Sequence, residues 1–197
     1  MSREIFEIVQ EMDLKSIEIQ LALQCAPLIA GLKVSNLLIV SAKNEKQVRE
    51  IIGKSGISYY KMLQTEEKIT FLLFRRKQLE KFLCQKEIKH FFQKEGYGVF
   101  QFGKILRAFQ IRYTTYMKER GEFPHEMGLL LGYPLEDVKG FMENEGKYFL
   151  YSGYWKVYEN MTEKMRLFRK FEVAKEMLIF LIYNGVRMEE IMANYAG

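Results

Sequence analysis

The sequence predicts an α+β fold, mainly helical, in which a small, partly antiparallel sheet packs against helices and a helical C-terminal half follows. Three observations carry this expectation. The runs Ile57–Leu63 and Ile69–Phe74 are strand-like and separated by a short polar linker, the pattern of an antiparallel hairpin. Beyond residue 77, apolar residues recur mostly at helical spacing. The chain has 197 residues, 48% hydrophobic and 28% charged, which suits a protein that buries a core rather than a disordered one.

Taken in order, residues 3–12 predict a short helix with Ile5, Ile8, Val9 and Met12 on one side. Asp13 is the expected cap of a second helix, Leu14–Ala26, which Pro27 should perturb or end. Gly31 breaks the chain, and Leu37–Val40 is a short buried strand. Asn44–Lys54 reads as an exposed helix ended by Gly53 and Gly56, ahead of the hairpin. Lys77–Glu95 is expected as one helix, stopped by Gly96 and Gly98, and Phe102–Arg120 as another, stopped by Gly121. Residues 123–141 read as two short helices around a tight turn. Lys147–Tyr158 is aromatic and extended. Thr162–Asn184 is the longest helix, with Met165, Phe168, Phe171, Leu178 and Leu181 facing a core and Gly185 as its cap. A short helix, Arg187–Tyr195, ends the chain. No repeat or linker divides it, so one domain over 1–197 is expected, with a helix/sheet part at 1–76 and a mainly helical part at 77–197.

Composition narrows the function classes. Two cysteines, Cys25 and Cys84, make no disulfide framework, and a reducing, cytoplasmic compartment is the expectation. The N-terminus lacks the basic start and apolar run of a signal peptide. The longest apolar runs, 36–42 and 177–183, fall well short of the roughly 20 residues of a spanning helix, so no membrane partner is expected. The net charge of +5 is uneven: residues 75–120 carry twelve basic and four acidic side chains, and residues 121–147 carry two basic and six acidic. A basic stretch beside an acidic one steers an anionic partner or forms a solvated face paired with its neighbour.

Phe123–Phe141 (FPHEMGLLLGYPLEDVKGF) concentrates the candidate chemistry. It holds one of two histidines and two of three prolines. Met127–Phe141 has helix-turn-helix spacing, with small Gly128 where the helices touch and Gly132 at the turn. Glu136 and Asp137 sit near the start of the would-be reading helix and would repel a polyanion, so packing without DNA is the preferred reading. His125 is expected to start the first helix, where the cationic imidazole is disfavoured, which suits a base or ligand. Glu126 and Asp137 are near enough in sequence to orient it. Otherwise it simply caps the helix or bonds a carbonyl.

Cys25, in Gln-Cys-Ala-Pro, has Lys33 shortly after it. A cationic neighbour would favour a thiolate, and with His125 it would make a nucleophile–base dyad. A buried free cysteine acting as a small hydrophobe is the other reading. No metal site is assigned: Cys84 and His90 are six apart and do not share a helix face. Tyr148–Tyr158 gathers tyrosines, the only Trp and Lys156, and lines a flat ligand's pocket or fills core. No glycine-rich phosphate loop or dinucleotide fingerprint is present, and no cofactor is named.

The chain resembles an uncharacterised bacterial family, a domain of unknown function. The resemblance rests on Cys25-Ala26-Pro27 with Gly31 and Lys33, Pro124-His125-Glu126 with Gly128, Leu131-Gly132-Tyr133-Pro134 with Asp137-Val138, and Gly153–Tyr158. It implies that these blocks belong together and supplies no reaction. The leading expectation is a cytosolic enzyme or small-ligand-binding protein. Cys25 would be the nucleophile or ligand, His125 the base, Lys33 the stabiliser of negative charge, and Glu126 and Asp137 orienting groups. Tyr154 and Trp155 would bind a cofactor or ligand. Expected partners are a small molecule or a protein. The alternatives are a non-catalytic interaction module and nucleic-acid binding through residues 75–120, the latter the less expected.

Overall fold

A computed structural model describes residues 2–98, 100–119 and 121–195. These fall into two compact units, residues 1–75 with 166–197, and residues 76–165. The fold is α+β and mainly helical, with a small antiparallel sheet.

In the first unit, β1 (Ser35–Ser41), β2 (Ser58–Gln64) and β3 (Lys68–Phe74) lie in the order β1-β3-β2, all antiparallel. Six consecutive buried residues, Ile69–Phe74, explain why β3 is central: only an inner strand covered on both faces holds such a run. The predicted hairpin is β2–β3, with a register shift between Lys61 and Leu63.

Helices α1 (Arg3–Glu11), α2 (Ile17–Ile29) and α3 (Glu45–Gly53) belong to the same unit. Ser2 caps α1 by accepting the Ile5 N–H at 3.4 Å. Asp13 caps a turn, accepting the Lys15 N–H at 2.9 Å, and α2 begins only at Ile17. Pro27 does not end α2, because Leu28 and Ile29 are drawn into the core and their carbonyls find a donor in Arg75. Its guanidinium reaches Leu28 O at 3.3 Å and Ile29 O at 3.0 Å. Gly31, at φ +73°, then turns the chain. The core joins Leu21, Cys25 and Leu28 of α2 to Leu38, Phe71 and Leu73 of the sheet.

The second unit holds α4 (Arg76–Leu83), α5 (Lys86–Lys94), α6 (Phe102–Glu119), α7 (Met127–Leu130), α8 (Leu135–Glu143), β4 (Tyr151–Ser152) and β5 (Lys156–Val157). The single helix expected over Lys77–Glu95 is two, because the apolar face changes phase. Leu79 and Leu83 are buried, but the next positions on that face are exposed Lys86, Glu87 and His90, while Ile88, Phe91 and Phe92 are buried. The expected end of α6 at Arg120 lies outside the described residues. The extended aromatic segment forms a two-residue antiparallel ladder, Tyr151↔Val157 and Ser152↔Lys156.

Helix α9 (Met161–Tyr183) starts in the second unit and continues in the first, where α10 (Met188–Asn194) also lies. Of the predicted stripe, Phe168, Phe171 and Leu178 are buried, and Met165 and Leu181 are half-buried. Glu18 caps α10 by accepting the Met188 N–H at 3.0 Å. Among the described residues, no helix is long and apolar enough to cross a membrane.

Candidate functional site

Cys25 and Lys33 lie in the first unit. Both are buried around Asn36, whose Oδ1 accepts from Lys33 Nζ at 2.9 Å and whose Nδ2 donates to the carbonyls of Gln24 (2.6 Å) and Leu37 (3.0 Å). Burial pushes the Cys25 thiol up to about 12, against the opposing pull of the Lys33 charge and the Asn36 hydrogen bond. Burial likewise pushes the Lys33 ammonium down to about 8. A thiol so raised is protonated at neutral pH and is a poor nucleophile. Native-state alkylation with peptide mapping is therefore expected to modify exposed Cys84 first and Cys25 only on unfolding. Native labelling of Cys25 with a pH midpoint near the free-thiol value of about 8.5 would remove this packing assignment.

The remaining predicted residues lie in the second unit. His125 does not start a helix. It sits in a turn (Gly128 N–H to His125 O, 3.1 Å) two residues ahead of α7, which has only four residues, so little macrodipole acts on it. Its ring clusters with those of Phe123 and Phe141, centroids 5.2 and 5.7 Å away and 6.4 Å from each other, and its Nδ1 is buried with no hydrogen-bond partner among the described residues.

Glu126, fully buried, turns to other partners: its Oε1 accepts from the Tyr97 hydroxyl at 2.6 Å and faces Arg112 Nε at 3.3 Å. Burial and this carboxylate hold the Tyr97 phenol well above the usual range. Arg112 in turn lies over the Tyr97 ring at 5.4 Å and donates to Glu95 O at 3.1 Å. This clamp ties α5 and α6 to the turn that carries His125.

Asp137, in the first turn of α8, is also buried, and both of its carboxylate oxygens find donors. Oδ2 accepts from Trp155 Nε1 at 2.7 Å, and Oδ1 accepts from the N–H groups of Tyr158 (2.8 Å) and Glu159 (3.4 Å). Lys164 Nζ stands 3.8 Å from Asp137 and 2.8 Å from Glu136 Oε1. One carboxylate thus fixes the segment 155–159 against α8. Tyr133, after the Gly132 turn (φ +73°), stacks on Trp155 at 4.8 Å and 26°.

These groups enclose a cavity of about 260 Å³, lined by Phe123, His125, Tyr133, Phe141, Trp155 and Lys156, with Met127, Gly128, Asp137 and Val138 completing the wall. That is slightly below the about 300–1,000 Å³ common for small-molecule sites. Of the sequence-predicted residues it brings together His125, Asp137 and Trp155. Tyr154 and Glu126 do not line it. Sequence reasoning missed Phe123, Tyr133 and Phe141 as lining residues. The available signal was their place in the same turn-rich segment as His125, but ring stacking between residues 22 positions apart has no local signature. Among the described residues, no three His, Cys, Asp or Glu side chains gather to hold a metal ion.

A family model described as "Protein of unknown function (DUF3793)" matches residues 21–192, a span that contains every block on which the resemblance rested. No curated protein matches the chain, and no solved structure matches it.

Proposed function

Because the chain belongs to this DUF3793 family of unknown function, we propose from its own side chains that it binds a small molecule in the pocket around His125. The observation that carries the reading is the Nδ1 atom of His125. It is buried in the wall of a largely aromatic cavity and has no hydrogen-bond partner among the described residues. An unmet buried polar atom costs about 1–3 kcal/mol, and a bound molecule that meets it recovers that cost. The rings of Phe123, Tyr133, Phe141 and Trp155 supply flat apolar contact around it.

The roles divide accordingly. His125 is the hydrogen-bonding point. Asp137 is a positioning residue that holds Trp155 in the wall through its indole N–H. Cys25 and Lys33 do not line this pocket: Cys25 packs in the core of the first unit, and Lys33 donates to Asn36 there.

Trp155 is the only tryptophan, so its fluorescence reports on the pocket directly. Titration with neutral phenol-like fragments, with excitation above their absorption, is expected to quench or shift Trp155 emission saturably. The same titration should move the imidazole NMR signals of His125 and leave those of exposed His90, the other histidine, in place. A fragment panel that moves neither Trp155 nor His125 would overturn the reading.

A further inference from the structure

The charge left unused in the pocket narrows what it holds. Two lining residues carry formal charge of opposite sign, Asp137 and Lys156. Asp137 is spent: it accepts from the Trp155 indole and the Tyr158 and Glu159 amides, and Lys164 stands beside it. Lys156 is not. Among the described residues no carboxylate comes within ion-pair distance of it. Its Nζ donates to the Gly146 carbonyl at 2.7 Å and lies over the rings of Phe141 (5.6 Å) and Phe149 (4.9 Å). Phe141 lines the cavity and Phe149 is exposed, which puts the ammonium at the cavity's edge.

An ammonium carries three donors, and one carbonyl occupies one of them. The uncompensated sign at this edge is therefore positive, while the wall behind it is made of rings and the imidazole Nδ1 of His125.

We infer that the pocket takes a small planar aromatic carboxylate, its ring among Phe123, Tyr133, Phe141 and Trp155 and its carboxylate toward Lys156. This rests on the proposal that the His125 pocket is a ligand site. The match is one of shape and charge together. About 260 Å³ admits one or two fused rings. A carboxylate accepts from the ammonium N–H groups in a charge-assisted hydrogen bond, and the imidazole tautomer with its hydrogen on Nδ1 makes His125 a further donor. A cationic ligand would face Lys156 with no free carboxylate to meet it, and a neutral one would leave the ammonium's remaining donors to water.

The test uses the intact protein and two matched pairs of probes: indole-3-carboxylate with indole-3-carboxamide, and benzoate with benzamide. Affinities come from heteronuclear NMR titration, which also locates the contact, because the emission of an indole probe overlaps that of Trp155. In at least one pair the carboxylate is expected to bind about tenfold or more tighter than its amide, a difference of about 1.4 kcal/mol. Lys156→Met, an unbranched side chain of similar length without the charge, should abolish that preference, so that acid and amide bind alike. Lys156→Arg should retain it, which separates loss of charge from loss of fold.

Amides that bind as well as the acids, or a preference that survives Lys156→Met, would overturn the ligand class and leave the pocket reading standing. Failure of all four probes and of the neutral fragments to move Trp155 or His125 would overturn both.

Discussion

Replacing Asp137 by Ala is expected to cost the 76–165 unit about 3–5 kcal/mol, the loss typical of removing one partner from a buried charged cluster. The side chain is 2% exposed and serves four groups at once: the Trp155 indole, the Tyr158 and Glu159 amides, and Lys164. Without the carboxylate, buried N–H donors are stranded, at about 1–3 kcal/mol for each one left unmet. Lys164, 8% exposed, would keep only Glu136. Against the 5–15 kcal/mol that holds a typical domain, such a loss is severe. Asp137→Asn keeps an acceptor for the Tyr158 amide but removes the charge, and should fall between wild type and Ala. Urea unfolding followed by Trp155 emission reads the effect where it acts. A loss below about 1 kcal/mol in the Ala variant would mean that other acceptors replace the carboxylate and that Asp137 does not organise the pocket wall.

The expected loss also marks what the sequence shows and what it hides. The β2–β3 hairpin was legible because two apolar runs flank a short polar linker, and α9 because its stripe repeats at helical spacing over many turns. The break between α4 and α5 was written in the phase of the apolar residues, with no Gly or Pro to announce it. Pro27 looked like a terminator because the guanidinium that serves the last carbonyls of α2 comes from Arg75, far along the chain. At the site, the block around His125 stood out by composition alone. Its neighbours in sequence were less informative: Glu126 turns toward Tyr97 and Arg112, and Asp137 toward Trp155 and Tyr158. The sequence places a carboxylate near a histidine along the chain. It does not say which way the side chain leaves the backbone, and in both residues that direction decides the role.

Gly140→Ala is expected to destabilise the same unit by about 1–3 kcal/mol, the cost typical of overpacking. This runs against helix propensity, which favours Ala over Gly by about 1 kcal/mol inside a helix. The reason is a close approach. A β-carbon on Gly140 would stand 2.4 Å from Tyr158 Cγ and 2.6 Å from its Cβ, stiff atoms at the root of the ring that cannot swing aside. Gly128, where α7 meets α8, is similar but milder, its nearest neighbours being Val138 Cγ2 at 2.7 Å and Tyr133 Cδ2 at 3.3 Å. At Gly103, in the first turn of α6, the added carbon would meet no described heavy atom within 4 Å beyond its chain neighbours and its own helix backbone, so Gly103→Ala should be neutral or stabilising. The opposite signs separate contact from propensity. Because the Tyr158 amide donates to Asp137, pushing Tyr158 off α8 should also loosen the carboxylate that holds Trp155. Gly140→Ala is thus expected to change Trp155 emission in the folded state, which Gly103→Ala should not do. Loss of stability with unaltered emission would limit Gly140 to packing, and no loss at all would mean that Tyr158 is not seated against α8.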